Sequence, residues 1–294
     1  MRILATQRGR SSINQQKRKF SFEFFPPRTA ESSLKLQETQ QSLAALGPDF
    51  FSVTYGAGGS TREKTFDTVI DIRNKTGIEA APHLSCVGSS TEDLQAVLAM
   101  YQEQGLKHLV ALRGDLPSGS VGMGSLRYAN ELVEFIRKES GDFFEIDVAC
   151  YPEFHPQAHS ASQDLANFKR KVEAGANGAI TQYFYNADAY YRFIDSCEKL
   201  QIDIPIVAGI MPITNCTQLT RFSEACGAEI PRWILQRLRD FGDDRESIIE
   251  FGIDVTTSLC QKLLDGGVPG LHFYTMNQAR AATIICQNLK LSEA

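Results

Sequence analysis

The 294-residue sequence has no apolar run long enough to span a membrane and no visible signal-peptide core, so a membrane-spanning or secreted protein is not expected and a cytoplasmic one is. It has no C-x-x-C pair. Its seven cysteines (Cys86, Cys150, Cys197, Cys216, Cys226, Cys260 and Cys286) are scattered and odd in number, which speaks against a disulfide framework or a zinc site and for buried thiols in a reducing compartment. Positive charge is not in excess: 30 Lys and Arg against 35 Asp and Glu leave a net charge of -5, with no electrostatic footprint for nucleic acid. Any anionic ligand must be held by local groups. His155 and His159 have metal-like spacing only on a helix, Pro156 stands between them and no His-Glu-x-x-His pattern is present, so no metal is expected. Neither Gly56, Gly58 and Gly59 nor Gly119, Gly122 and Gly124 form G-x-G-x-x-G behind the first strand, which argues against a Rossmann domain. Finally, the first nineteen residues hold Arg2, Arg8, Arg10, Lys17, Arg18 and Lys19 and no acid. A transit peptide or an amphipathic lead-in helix shares that composition; a flexible basic tail over residues 1–19 is expected, ahead of one catalytic unit over 20–294.

What is present is ordinary for a folded domain: 43% hydrophobic and 22% charged residues, on a chain long enough to bury a large core. Its organisation is a repeated alternation. Phe20–Phe24 reads as a strand closed by Pro26-Pro27, Ala30–Leu46 as a helix stopped by Gly47-Pro48, and Phe50–Thr54 as a strand followed by a glycine-rich loop and a helix from about Thr61 to Thr76. Strands follow at Ile78–Leu84, His108–Leu112, Phe143–Cys150, Ala179–Phe184, Pro205–Gly209 and Gly270–Phe273, separated by helical patterns such as Thr91–Gln104, Asp188–Leu200 and Gln278–Leu289. The segment Pro231–Asp265 reads as an extra helical insertion before the last strand. About eight strand-helix units without a linker predict a single (β/α)8 barrel.

In such a barrel the active site lies at the C-terminal ends of the strands. Read in order, those ends carry Glu23, Thr54, His83, Arg113 with Asp115, Tyr151 with His155, Gln182 and Tyr274. This convergence of polar groups predicts an enzyme. Alternation sets Phe20, Phe22 and Phe24 on one face of the first strand and Ser21, Glu23 and Phe25 on the other. Glu23 is then a carboxylate among poorly solvating groups. Desolvation raises a carboxyl pKa, which would make Glu23 a general acid; the plainer reading is a salt-bridged or rim-exposed glutamate. Arg113 and Asp115 read either as a ligand contact opened by Gly114 or as an ion pair pinning a loop.

Phe22-Glu23-Phe24-Phe25-Pro26-Pro27-Arg28, Ser52-Val53-Thr54-Tyr55-Gly56-Ala57, Pro82-His83-Leu84, Leu112-Arg113-Gly114-Asp115, Tyr151-Pro152-Glu153-Phe154-His155-Pro156 and Ala179-Ile180-Thr181-Gln182 together resemble the methylenetetrahydrofolate reductases, in family order, from about Phe20 to Leu289. The chain resembles the short bacterial type, with no counterpart of the C-terminal regulatory domain of eukaryotic members and none in the family for its basic first nineteen residues. The resemblance implies an FAD-bearing barrel that reduces 5,10-methylenetetrahydrofolate to 5-methyltetrahydrofolate with NADH or NADPH, supplying methyl groups for methionine synthesis. It implies Glu23 as the acid that protonates N10 and opens the five-membered ring, with hydride delivered from flavin N5, and Asp115 beside flavin and pterin favouring the cation that results. By position, the implied cofactor contacts are Thr54 on the nicotinamide side and, for flavin, Tyr55, Ala57, His83, Arg113, Gly114, Asp115, Tyr128, Ala129, Tyr151, His155, Ala158, Asp164, Asn167, Arg170 and Lys171. Asp115, Gln182, Gln218 and Arg280 match folate contacts, and Phe222 a ring that stacks on folate or nicotinamide. Both substrates using one flavin face in turn implies ping-pong kinetics, and a homo-oligomer, dimer or tetramer, is implied as well. Nucleic-acid and membrane partners are not. The alternative is a pterin-binding barrel methyltransferase without flavin, which would be colourless; a folate-binding partner that has lost catalysis is a third reading.

Overall fold

The computed structural model describes residues 18–55, 59–115 and 124–292. The first seventeen residues, Ala57 with the centre of the glycine-rich loop, and residues 116–123 lie outside this set. Eight parallel strands, β1 (Lys19–Phe24), β2 (Phe50–Val53), β3 (Ala80–Ser85), β4 (His108–Leu112), β5 (Glu145–Cys150), β6 (Gly178–Thr181), β7 (Ile206–Ile210) and β8 (Gly270–Tyr274), close in sequence order into a barrel, β8 pairing with β1. The helices are α1 (Ala30–Ala44), α2 (Gly59–Thr76), α3 (Thr91–Glu103), α4 (Ala129–Ser140), α5 (Ala161–Glu173), α6 (Ala187–Lys199), α7 (Cys216–Cys226), α8 (Arg232–Asp240), α9 (Arg245–Asp265) and α10 (Arg280–Asn288). The expected (β/α)8 fold is the observed one.

The period of two along each strand sorts the core into two layers. Phe20, Phe22, Phe24, Phe51, Val53, Leu84, Leu109, Ile146, Val148, Ile206, Leu271 and Phe273 point outward and pack in the main apolar cluster. The opposite set, Ser21, Glu23, Ser52, His83, His108, Asp147, His272 and Tyr274, fills the interior of the barrel together with Phe50, Ala81, Val110 and Ile180. The interior is therefore unusually polar, and each of its polar groups has a neighbour across the sheet.

Local signals set the helix starts. Thr29 caps α1 in a capping box with Ser32, Ser90 caps α3 in one with Asp93, and Asn186, Asn215 and Asp244 accept from the first turns of α6, α7 and α9. Three helices rather than one lie between β7 and β8. Of these α9 packs against α6, α10 and β7, coming so close at Gly252 that a Cβ there would sit 2.0 Å from the Ile213 carbonyl. The pair α7 and α8 covers a second apolar cluster containing Tyr183, Tyr185, Met211, Ile213, Leu219, Ile234 and Leu238. Strand β6 is shorter than its apolar run, ending at Thr181 instead of Phe184. Gln182 still donates its N–H to the Cys150 carbonyl at 2.7 Å, but the next N–H, of Tyr183, turns to the Gln182 side chain at 2.9 Å and the ladder stops. All seven cysteines are free thiols. No helix among the described residues is long and apolar enough to cross a membrane.

Candidate active site

The C-terminal ends of the strands bring the predicted groups to one rim. Glu23, next to last on β1, is centred between two imidazoles: His83 Nε2 of β3 lies 3.3 Å from its Oε2 and His272 Nε2 of β8 lies 3.5 Å from the same atom. The Glu23 side chain keeps 18% exposure, so one edge still faces the mouth. Burial raises its pKa, as expected from sequence, but the charge of His83 and the contacts with His272 overcome that and hold the carboxyl down at about 2. The expectation of a raised value is therefore corrected. Its cause is long-range, since the two imidazoles come from strands that sequence reading could not set beside Glu23. His83 is 6% exposed, and its Nε2, although near Glu23, makes no aligned hydrogen bond within the protein.

Beside this rim a cavity of about 610 Å³ opens between the β4, β5 and α5 sides, within the range of about 300–1,000 Å³ usual for cofactor sites. Nine of the expected contacts line it: Arg113, Tyr128, Ala129, His155, Ala158, Asp164, Asn167, Arg170 and Lys171. Sequence reading missed Asn130, Glu131, Gln157, His159 and Gln163 of the same lining. The helical period after Ser160 could have flagged Gln163, which is one turn from Asn167 and donates to it at 3.1 Å. Tyr151 packs edge-on against His155, ring centroids 4.7 Å apart. His155 Nδ1 accepts the Gln157 N–H at 3.0 Å, which places its ring proton on Nε2, and burial lowers the pKa of this histidine. Asp164, in the first turn of α5, accepts the His155 N–H at 2.9 Å. Lys171 is half-buried with its ammonium on the Ala149 carbonyl, and desolvation lowers its pKa.

The loop after β4 is fixed by a close approach. Gly114 has φ +85, and a Cβ there would lie 1.8 Å from Ser85 Oγ, which itself donates to the Arg113 carbonyl at 2.8 Å. The Arg113 guanidinium donates to Gln157 Oε1 at 2.8 Å and to the Gly114 carbonyl at 3.1 Å, so the loop-pinning ion pair with Asp115 is not what forms. Asp115 is exposed at the rim. Thr54 and Tyr55 follow β2 half-buried, the Thr54 carbonyl accepting from Thr65 at 3.0 Å; Gln182 and Gln218 are half-buried at the ends of β6 and the start of α7, and Phe222 is half-buried in α7. Arg280 starts α10 and is engaged by Glu246 through two hydrogen bonds of 2.9 and 2.6 Å. Ala57 lies outside the described residues.

Comparison with known proteins identifies the family. The family model described as methylenetetrahydrofolate reductase matches residues 8–290, which begins inside the basic segment that sequence reading set apart from the family. The 5,10-methylenetetrahydrofolate reductase of Escherichia coli K12 is 44% identical over 269 residues, covering 92% of this chain and 90% of that protein. Methylenetetrahydrofolate reductase (NADH) 1 of Zea mays is 38% identical over 287 residues, 93% of this chain but 48% of the longer plant protein. Among solved structures, an uncharacterized Clostridium thermocellum protein that binds two copies of 5-methyl-5,6,7,8-tetrahydrofolic acid shares the fold with a TM-score of 0.67 at 14% identity, over 95% of this chain and 96% of that one. A match over nearly the whole chain, with the polar rim where a barrel enzyme requires it, establishes that this protein belongs to the methylenetetrahydrofolate reductase family.

Proposed function

We propose that the protein reduces 5,10-methylenetetrahydrofolate to 5-methyltetrahydrofolate with FAD as bound cofactor and NADH or NADPH as donor, in two half-reactions that share one site. The observation that carries this reading is Glu23 at the rim between His83 and His272, next to a cavity of cofactor size. The residues present fit a flavin dinucleotide: Arg170 and Lys171 would offer cations to its phosphates, Asp164 and Asn167 polar partners to its ribose and linker, and His83 Nε2, which makes no aligned hydrogen bond, a donor or acceptor at the ring end. When bound, the flavin would carry hydride between the two substrates.

The chain's own residues supply the rest. With the site open, Glu23 is held ionised by the two imidazoles beside it. A folate seated on the rim covers the remaining exposed edge of Glu23, raises the cost of its charge and favours transfer of a proton to the carboxyl. Glu23 then protonates N10 of the folate, which opens the ring to an iminium cation. Asp115 opposes the cation's charge from the loop. Gln182, Gln218 and Phe222 border the side of the mouth between β6 and α7, where they would orient the pterin and its tail. An electron donor that stacks on the flavin needs no Rossmann domain, which accounts for the missing fingerprint.

The test is the visible spectrum of the purified protein under anaerobic conditions. A yellow protein that bleaches with NADH and regains its colour with methylenetetrahydrofolate supports both half-reactions. A protein that stays colourless after FAD is added overturns the proposal and favours a pterin methyltransferase.

A further inference from the structure

We propose that His272 is the positioning residue that stores the proton Glu23 passes to the substrate, and that Ser21 fixes this proton on the nitrogen facing Glu23. The inference rests on the reading of Glu23 as the acid and names two groups that act through it.

The arrangement follows from strand register. Ser21 stands directly opposite His272 across β1 and β8, and Glu23 opposite Ser52 across β1 and β2. Three adjacent strands thus gather four polar side chains on the barrel's inner face. His272 is fully buried. Its Nδ1 lies 2.7 Å from Ser21 Oγ, while its Nε2 lies 3.4 Å from Ser52 Oγ and 3.5 Å from Glu23 Oε2. The Phe50 ring stacks on one side, centroids 5.8 Å apart at 22°, and Tyr274 meets the imidazole edge-on at 5.4 Å. Walled in this way, the ring has no room to turn, and each nitrogen keeps its own neighbour.

A hydroxyl can accept or donate, so Ser21 can hold a proton on Nδ1 throughout turnover. In the cationic ring, Nδ1–H donates to Ser21 and Nε2–H faces the Glu23 carboxylate. Transfer of the Nε2 proton leaves a neutral imidazole still carrying Nδ1–H, with Nε2 free to accept from the new Glu23 hydroxyl. Glu23 gives that proton to the substrate nitrogen and becomes a carboxylate again, and a proton from solvent, entering by the exposed edge of Glu23, restores Nε2–H. One proton enters and one leaves per cycle. The other titratable groups facing this pair are His83 from β3 and Tyr274 from β8; His108 and Asp147, from β4 and β5, lie beyond the Phe50 ring, and β7 presents Gly209 and Val207. His83 Nε2 lies nearer to Glu23, at 3.3 Å, but makes no aligned hydrogen bond in the protein, whereas both His272 nitrogens face a serine hydroxyl, at 2.7 and 3.4 Å.

Removing the Ser21 hydroxyl strands Nδ1–H in the core and disfavours the protonated ring. Ser21→Ala is therefore expected to slow flavin reoxidation by methylenetetrahydrofolate about tenfold at neutral pH, with the rate maximum moved to lower pH. Ser21→Thr, which keeps the hydroxyl, restores the rate and the profile. Bleaching of the flavin by NADH, measured on the same preparations, is expected to stay intact, since it consumes no proton from Glu23. An unshifted pH profile in Ser21→Ala overturns the inference, as does an equal defect in Ser21→Thr or an equal loss of the NADH step. If Glu23→Gln reoxidises with folate at the normal rate, the acid reading itself fails, which is a different outcome from a silent Ser21→Ala beside an inactive Glu23→Gln.

Discussion

Tyr274 reaches across the barrel mouth from β8 and donates its hydroxyl to the Thr181 carbonyl of β6 at 2.7 Å. The strand between them gives way with Gly209, where a Cβ would sit 2.0 Å from the Thr181 oxygen and 2.8 Å from the Tyr274 ring. Backbone cannot retreat from such a contact. Gly209→Ala is expected to cost about 3 kcal/mol by overpacking, against about 1 kcal/mol for Tyr274→Phe, which only unpairs one carbonyl. Thermal melts of the two variants check the order, and a Gly209→Ala protein as stable as wild type refutes it.

At the opposite mouth, His108 Nε2 lies 2.8 Å from Asp147 Oδ2. Burial lowers the His108 pKa, but the Asp147 hydrogen bond and charge, with Glu145 and Glu79, reverse this and raise it. A raised folded value means stability that is fully present below the unfolded value of 6.5 and is lost as pH rises through the folded one. Asp147→Asn should therefore lower Tm more at pH 6 than well above the folded pKa. A difference that is the same at both ends, or larger at high pH, contradicts the assignment.

Glu23 behaves in the reverse sense. Its folded value of about 2 lies below the ordinary carboxyl value of 4.5, so its contribution is present above 4.5 and disappears as pH falls from there to about 2. In Glu23→Gln the Tm against pH curve should be flatter across that window than in wild type. On the proposed function, the same variant should bind flavin, bleach with NADH and lose folate reduction by roughly 100-fold or more, the size expected for a missing general acid.

Gly114 tests the proposed flavin site. Gly114→Ala combines an unfavourable positive φ with a contact of 1.8 Å to Ser85 Oγ, so the loop must shift and flavin content per chain should fall. Adding Ser85→Ala removes the contact and leaves the backbone strain. Partial recovery of flavin is expected, and full recovery would show that φ is unimportant here.

The candidate cofactor contacts came from the family resemblance, while the order of the strands, the two faces of the first of them and the single barrel were legible in the sequence itself. These depend on local patterns: a period of two in Phe20-Ser21-Phe22-Glu23-Phe24, caps such as Ser90 with Asp93, and turn residues that end each unit. Glu23 could be singled out in the same way, as a lone carboxylate on the inner face of a strand. Its protonation could not. Desolvation is visible in a sequence because apolar neighbours are adjacent along the chain, whereas His83 and His272 reach Glu23 only when the barrel closes β8 against β1. Closure likewise decides that Ser21 faces His272, that Gly209 must lack a side chain beneath Tyr274, and that Arg113 turns to Gln157 instead of Asp115. Sequence determined which residues point inward; tertiary structure decided which of them meet, because electrostatics and packing act through distances of a few ångströms that no spacing along the chain specifies.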